Sequence, residues 1–458
     1  MSRTLIIILL FNYGFASRIL LAEPKGLENI LEILASEHPE SKSLAGISQA
    51  HKAHTEASGI LPDPKIGFAY RNYPTRNGYS LGGNKGLDTP TMTGMEFSIS
   101  QEFPFPGKLS TENRISQIMQ NEANFGYLAG VNRMLGDFFS LLNRYQSSGK
   151  KKALNDRILV LSNAQKNISE SSYSSGGSNL TGVLKASVAK TEALEKDTEY
   201  STSIKDLHSQ LEYFQISQKL NFSDFENLEL NSFLEKRNEE ILSLLQGENN
   251  LVETTPEYKT VASEEKRLKE QAKLTKYSLA PQTEVFFSYM KRRSQTFTQD
   301  QGPLNYGLMD VTEYRGDLFS LGVNMKVPVW SALKWNSITG ETEHLAAVGK
   351  DSVEKTRAQM LTQLNRNLTL VQGLTNQIQL VEKRLIPELE KASRAGVYQY
   401  SSGKGNIQEP FLAQTEILNA RIRLEDLKEK RNETIIGNLK LLSFIYKETK
   451  IPTHHHKQ

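Results

Sequence analysis

The sequence has no cysteine. Disulfides are excluded, and with them a lipid-modified N-terminal cysteine, thiolate metal sites and a cysteine nucleophile. No stretch beyond the N-terminus offers the ~20 apolar residues of a membrane-spanning helix, so strands must make any membrane passage. A dominant charge is also missing: 55 Lys and Arg against 52 Asp and Glu leave a net +3 on 458 residues. That balance gives no reason to expect a nucleic-acid partner. Neither a phosphate-binding glycine loop nor GxSxG nor HExxH occurs, so the residues indicate no enzyme and no cofactor. "GGNKG" at Gly82 to Gly86 opens no helix and reads as a hairpin loop.

The N-terminus is richer. In "MSRTLIIILLFNYGFA" one arginine precedes an apolar run from Leu5 to Phe11, and small residues follow. This is the pattern of an export signal over 1–22, cut after Ala16 or Ala22. Histidines offer two weak metal candidates. His51 and His54 stand at i, i+3, and His454, His455 and His456 sit in a C-terminal segment, 448–458. Such spacing can share a helix face for Zn²⁺ or Cu²⁺. No carboxylate or thiolate completes either set at sequence range, so an exposed helix face and a flexible tail are expected.

The chain repeats itself. "YSSGGSNL" spans Tyr173 to Leu180 and "YSSGKGNI" spans Tyr400 to Ile407, a spacing of 227 (400 − 173). At that offset Arg157 falls on Arg384, Asn179 on Asn406, Ala186 on Ala413 and Ala193 on Ala420. A duplicated unit of half a chain follows, with repeats at 23–235 and 236–447. Between Lys108 and Ser172 there is no proline, and between Ser331 and Gln399 only Pro387. Each stretch, as one helix, is about 100 Å long. Leu361, Leu364, Leu368, Val371, Leu374, Ile378, Val381 and Leu385 step by threes and fours, the seam of a coiled coil. Helical patterning resumes from Leu180 to about Leu220 and from Phe411 to about Tyr446. The strings at 173–180 and 400–407 are therefore expected to be tight turns between antiparallel helices. Gly176 and Gly403 supply the left-handed residue that ends a helix, and Asn179 and Asn406 cap the next.

Ahead of each long helix the period changes to two. Ile66, Phe68 and Tyr70 alternate with small or polar residues, as do Phe97, Ile99 and Phe103; hairpins are expected at 64–104 and 281–328. The second places Val285, Phe287 and Tyr289 on one face, and Leu321, Val323, Met325 and Val327 on another strand. Such strands suit a membrane barrel, and equally a soluble hairpin. Two hairpins make four strands, while the smallest single-chain barrels have about eight. An open sheet cannot stay in lipid, so copies of the chain must close the barrel. Three copies give twelve strands. The competing expectation is a soluble coiled-coil interaction protein whose hairpins only cap helices.

In order and duplication these segments resemble the TolC-like outer-membrane efflux proteins. The resemblance rests on "LPDPKIGFAY", "SISQEFPFPGK", and "RLIPELEKASRAGVYQYSSGKGNI" leading into "FLAQTEILNARIRLEDL", and it covers roughly Pro24 to Lys447. It implies an α+β membrane protein, a homotrimer with a twelve-stranded outer-membrane barrel on a periplasmic α-helical tunnel. The stretch from Asn221 to Pro256, read as irregular, would join an equatorial region. The partners implied are lipid, a periplasmic adaptor and an inner-membrane pump, of the RND type by preference, with the channel itself passive. "FPFPGK" is most similar to the branch serving heavy-metal pumps; drug efflux and type I secretion remain open. The family also lines its periplasmic constriction with acidic residues just after the second tip. Glu409 falls at one such position, while Leu412 departs from the pattern and Gly182 and Lys185 stand there in the first copy. The gate candidates are thus Glu409, Lys404 and Lys185. The adaptor-docking candidates are Tyr173, Ser175, Gly176, Tyr400, Ser402 and Gly403.

Overall fold

The computed structural model describes residues 26–72, 92–176, 179–217, 219–226, 228–247, 250–300, 308–403 and 408–447. The expected export signal, the GGNKG loop, Lys404, Asn406 and the tail with His454, His455 and His456 lie outside them.

The first repeat runs α1 (Leu27–Glu37), α2 (Pro39–Ala57), β1 (Lys65–Arg71), β2 (Gly94–Phe103), α3 (Lys108–Ser174) and α4 (Leu180–Leu211). After α5 (Phe222–Glu226) and α6 (Leu230–Gly247), the second opens with α7 (Pro256–Lys276) and β3 (Gln282–Arg292). It continues through β4 (Gln295–Asp300), β5 (Leu308–Glu313) and β6 (Leu318–Lys326). Helices α8 (Val329–Ala332), α9 (Trp335–Leu380), α10 (Ile386–Ser401) and α11 (Gln408–Leu442) complete it. The spacing of 227 reappears at the helix ends, since Lys108 and Trp335 open the long helices and Ser174 and Ser401 close them. α2 and α7 start only 217 apart (256 − 39), so the segments containing the hairpins absorb the difference.

Several expectations change. Residues 221–256 are not irregular: they hold α5 and the 18-residue α6, whose buried Leu230, Leu234 and Ile241 recur at helical spacing. α4 stops at Leu211 in a 3₁₀ turn rather than near Leu220. The second long helix is broken twice, at the turn after α8 and at Val381–Leu385, where one π turn separates α9 from α10. Pro387 accounts for the second break. It lacks an N–H and its ring crowds the carbonyl four residues back, that of Lys383, and a widened turn relieves both. Val160 holds the matching position in α3, which stays α-helical throughout. The seam also shifts: Leu361 and Leu368 are only half-buried, while Met360, Leu364, Asn367, Val371, Ile378 and Val381 are buried.

The described residues form two compact units, each drawing segments from both repeats. One takes the described residues up to Pro39 with Leu135–Glu240 and Val371–Ile436. Its aromatic core sets Phe138 edge-on to Phe225 at 5.0 Å and tilted on Phe214 at 5.2 Å. The buried His38 ring stacks on Phe214 at 5.6 Å.

The other unit takes Glu40–Met134, Ile241–Leu370 and the described residues from Gly437. α2 approaches α3 closely at Gly130, where an added Cβ would come within 2.5 Å of Leu44 Cδ1. Asn132 secures the chain after α11: its Oδ1 accepts from the backbone N–H groups of Ile445 (3.0 Å) and Tyr446 (2.9 Å).

This unit carries the sheet, antiparallel throughout in the order β1-β2-β3-β6; β4 and β5 pair separately. The register aligns Ile66, Ile99, Phe287 and Leu321 in one cross-strand row, and Phe68, Phe97, Tyr289 and Phe319 in the next. All eight side chains are exposed. The opposite face is small and polar, with Gly67, Ser98, Ser288 and Ser320 in one row. There Ser100 donates to Glu284 at 2.7 Å, Lys65 lies 3.6 Å from Glu284, and Arg71 pairs with Glu96. Both outer strands, β1 and β6, have a free edge among the described residues. No described helix is long and apolar enough to cross a membrane.

Candidate functional site: the two helical tips

A helix C-terminus leaves its last carbonyls without intrahelical donors. Serine hydroxyls supply donors at both tips. In the first, Ser174 Oγ donates to Glu170 O at 2.9 Å and Ser175 Oγ to Ser172 O at 3.1 Å. In the second, Ser401 Oγ donates to Tyr398 O at 3.0 Å and Ser402 Oγ to Gln399 O at 2.9 Å. Glycine then turns the chain: Gly176 has φ +77° and Gly403 φ +73°, and each N–H returns 3.0 Å to the carbonyl of the tyrosine three residues earlier. Asn179 caps α4 by accepting from the Gly182 N–H at 3.0 Å. The serines and glycines of the repeated string thus shape the turns, while Tyr173 and Tyr400 remain exposed.

The starts of α4 and α11 lie side by side. A Cβ on buried Gly182 would come within 2.7 Å of Gln408 Nε2, so the residue at the first copy's acidic position is the one that lets α11 approach. Glu409 and Lys185 are both exposed.

Behind the tips, two apolar clusters hold the helices together. Ile158 of α3, Ala193 of α4 and Leu418 of α11 form one. Ile378, Val381 and Ile386 meet Ala420, Leu424 and Leu427 of α11 in the other, across the π turn. A groove of about 770 Å³ opens between α3, α10 and α11, lined by Asp156, Arg157, Glu390, Arg394, Gln414 and Arg421 among others. Its charged rim is internally paired in part, with Arg421 3.2 Å from Glu390.

Farther from the tips the contacts between α3 and α11 become polar. Lys151 Nζ lies 2.5 Å from Asp426 and 2.6 Å from Glu429, with only 11% of its side chain exposed. Burial pulls its pKa down, but hydrogen bonds from Asp426 and Glu429 outweigh that and hold it above the usual lysine value. Lys152 bridges Asp156 and Asp197, and its hydrogen bond keeps the Asp197 carboxyl below the ordinary range. Ser140 donates to Glu433, and Asn143 to Glu433 and to the Glu429 carbonyl. These buried polar residues escaped the sequence reading. Their signal was a polar stripe at Ser140, Asn143, Ser147 and Lys151, stepping by three and four.

The metal candidates gain nothing. His51 is half-buried and His54 exposed on α2, and among the described residues no three His, Asp or Glu side chains gather to hold an ion. The "FPFPGK" junction has a structural role: Phe105 packs on Tyr277 at 6.0 Å, and Gly107, at φ +94°, leaves room for the Tyr277 hydroxyl.

No family model matches the chain, and no curated protein matches it. Solved structures do. The outer membrane protein VceC of Vibrio cholerae superposes with a TM-score of 0.68 at 12% identity, over 91% of this chain and 95% of VceC. The CmeC outer membrane channel of Campylobacter jejuni gives 0.67 at 10% identity, over 92% of this chain and 87% of CmeC. The MtrE outer membrane channel of Neisseria gonorrhoeae gives 0.56 at 12%, over 91% and 88%. The fold of this chain is therefore that of the TolC-like outer-membrane channels.

Proposed function

We propose that this chain, having the TolC-like channel fold, is the outer-membrane exit duct of an efflux system. The observation that carries the reading is the sheet. Two full rows of apolar side chains stand exposed on one face, the other face is serine- and charge-lined, and both edges lack a partner among the described residues. Water disfavours such an apolar face, and lipid forbids such edges. Three copies joined edge to edge satisfy both constraints: twelve strands close, apolar side chains meet lipid, and the polar face lines an aqueous lumen. The helices then form the periplasmic tunnel, and the tips become its entrance.

A passive duct of this kind takes its cargo from a periplasmic adaptor and an inner-membrane pump, for which the RND type is the preferred reading. Heavy-metal cations remain the proposed cargo on the resemblance of "FPFPGK", although Phe105 and Gly107 are already accounted for by packing. Glu409, exposed beside the second tip, is the proposed gate residue.

The reading is tested on the purified full chain. Outer-membrane fractionation, heat-modifiable trimers on gels and single-channel currents in planar bilayers are expected. A monodisperse monomer that needs no detergent and carries no current would overturn it.

A further inference from the structure

Both tryptophans of the chain, Trp330 and Trp335, lie within six residues at the junction between β6 and α9. A rare, large and amphipathic side chain is thus concentrated at one level of the fold. Trp330 is 79% exposed, as is Leu333. Val327 and Val329 are exposed as well, and Trp335 is half-exposed at 51%. The matching junction of the first copy differs, because there Phe105 packs against Tyr277.

Three features say what covers this patch. It continues the apolar face of β6, where Phe319, Leu321, Val323 and Met325 stand exposed on alternate residues up to Val327. It lies at the helix-side end of the sheet, where Lys65, Phe103, Gln282 and Lys326 end their strands or pairings. Lysines flank it: Lys326 before Trp330 and Lys334 beside Trp335, with Lys65 and Lys108 also at the strand–helix junctions. Exposed indole next to lysine, directly below an apolar band, matches the layer where acyl chains give way to lipid phosphate. Tryptophan places its ring there while its N–H keeps a polar partner, and ammonium groups pair with phosphate.

We propose that Val327, Val329, Trp330, Leu333 and Trp335 form an anchor seated in the phospholipid headgroup layer on the helix side of the barrel, with Lys326 and Lys334 against lipid phosphate. The proposal rests on the barrel reading and adds a bilayer depth to it. Trp330 and Trp335 report on that depth directly.

The experiment uses the full-length chain reconstituted into phosphatidylcholine–phosphatidylglycerol vesicles, with tryptophan emission as readout. One set of vesicles carries bromine near the headgroup end of the acyl chains, another near the chain terminus. Shallow bromine is expected to quench the native tryptophans at least about twofold more than deep bromine. In a Trp330→Phe/Trp335→Phe background, Leu321→Trp provides a ruler in the sheet, and there deep bromine is expected to quench more. Quenching at Leu321→Trp but none in the native chain would overturn the anchor and leave the barrel standing. A blue-shifted, acrylamide-protected native emission would then assign the patch to protein contact, such as a second copy. A chain that fails to float with the vesicles would overturn both readings. The wild-type measurement needs no substitution, so it stands even if a variant fails to fold.

Discussion

Asn432 donates from its side-chain amide to the carbonyl oxygen of Asn143, 3.1 Å away, across the seam between α11 and α3. Its second amide hydrogen goes to Asn231 at 2.7 Å. Asn143 is itself buried and donates to Glu429 and Glu433, so the pair sits inside a network rather than beside water. Such a pair tolerates one helix register, because a shift of one residue strands both amides.

Asn432→Leu is expected to destabilise the chain by about 1–3 kcal/mol, because it leaves the Asn143 carbonyl buried without its donor. Adding Asn143→Leu should recover part of the loss despite freeing Glu433. Thermal unfolding in detergent, followed by circular dichroism, measures both. A double variant losing the full sum of the two single changes would refute the coupling.

Lys151 gives the network a pH dependence. Its folded pKa is raised, so its contribution is fully present below the unfolded lysine value of about 10.4 and fades as pH rises through the folded value. Lys151→Met should cost roughly 2–4 kcal/mol at pH 8, leaving Glu429 and the more exposed Asp426 unpaired. The gap between variant and wild type should then narrow above the unfolded lysine pKa. Melting curves recorded from neutral to strongly alkaline pH test this, and a gap that stays constant would count against the pair.

At the tips the strain is local. Gly176 and Gly403 have positive φ with nothing within 4 Å of an added Cβ, so alanine should cost about 1 kcal/mol at each by backbone conformation alone. Gly126 is the control: it is helical and equally open, and alanine there should stabilise by up to ~1 kcal/mol. Opposite signs in the melting temperature are expected. A loss at all three positions would point to another cause.

Glu409→Ala is expected to change single-channel conductance or lower cation preference in planar bilayers, since a ring of carboxylates at a narrow mouth favours cations. Lys185→Ala and Lys404→Ala should shift the preference the opposite way if they share the constriction. Currents identical to wild type would remove the residue concerned from the gate.

Much of the fold was legible because it was written twice. The alternation at Ile66, Phe68 and Tyr70, the turn chemistry of Gly176 and Asn179, and the proline-free span to Ser172 each announced an element through local physics. The seam of α3 was hidden for an equally physical reason. Asn143, Lys151, Asn155, Ser162 and Ser169 are buried there, and a polar seam leaves no trace in a hydrophobic pattern. Single-residue shifts, such as Asn367 replacing Leu368 at a buried position, depend on the partner helix and on Gly437, whose Cβ site lies 3.5 Å from the Asn367 amide nitrogen. At the tips, the turns could be read from sequence. That Gly182 makes room for Gln408 could not, since those residues lie more than two hundred positions apart.

The π turn at Val381–Leu385 bears on symmetry. The two long helical spans hold the same number of positions, Lys108 to Ser174 and Trp335 to Ser401, yet only the second contains the widened turn. Residues beyond it lag the matching residues of α3 by a fraction of a turn, up to about 100° for one residue's worth of slip. Equal length with unequal phase means that the two tips cannot present the same face to a shared axis. A ring of six hairpins would then be threefold and never sixfold, and whatever docks on it would meet two alternating kinds of surface.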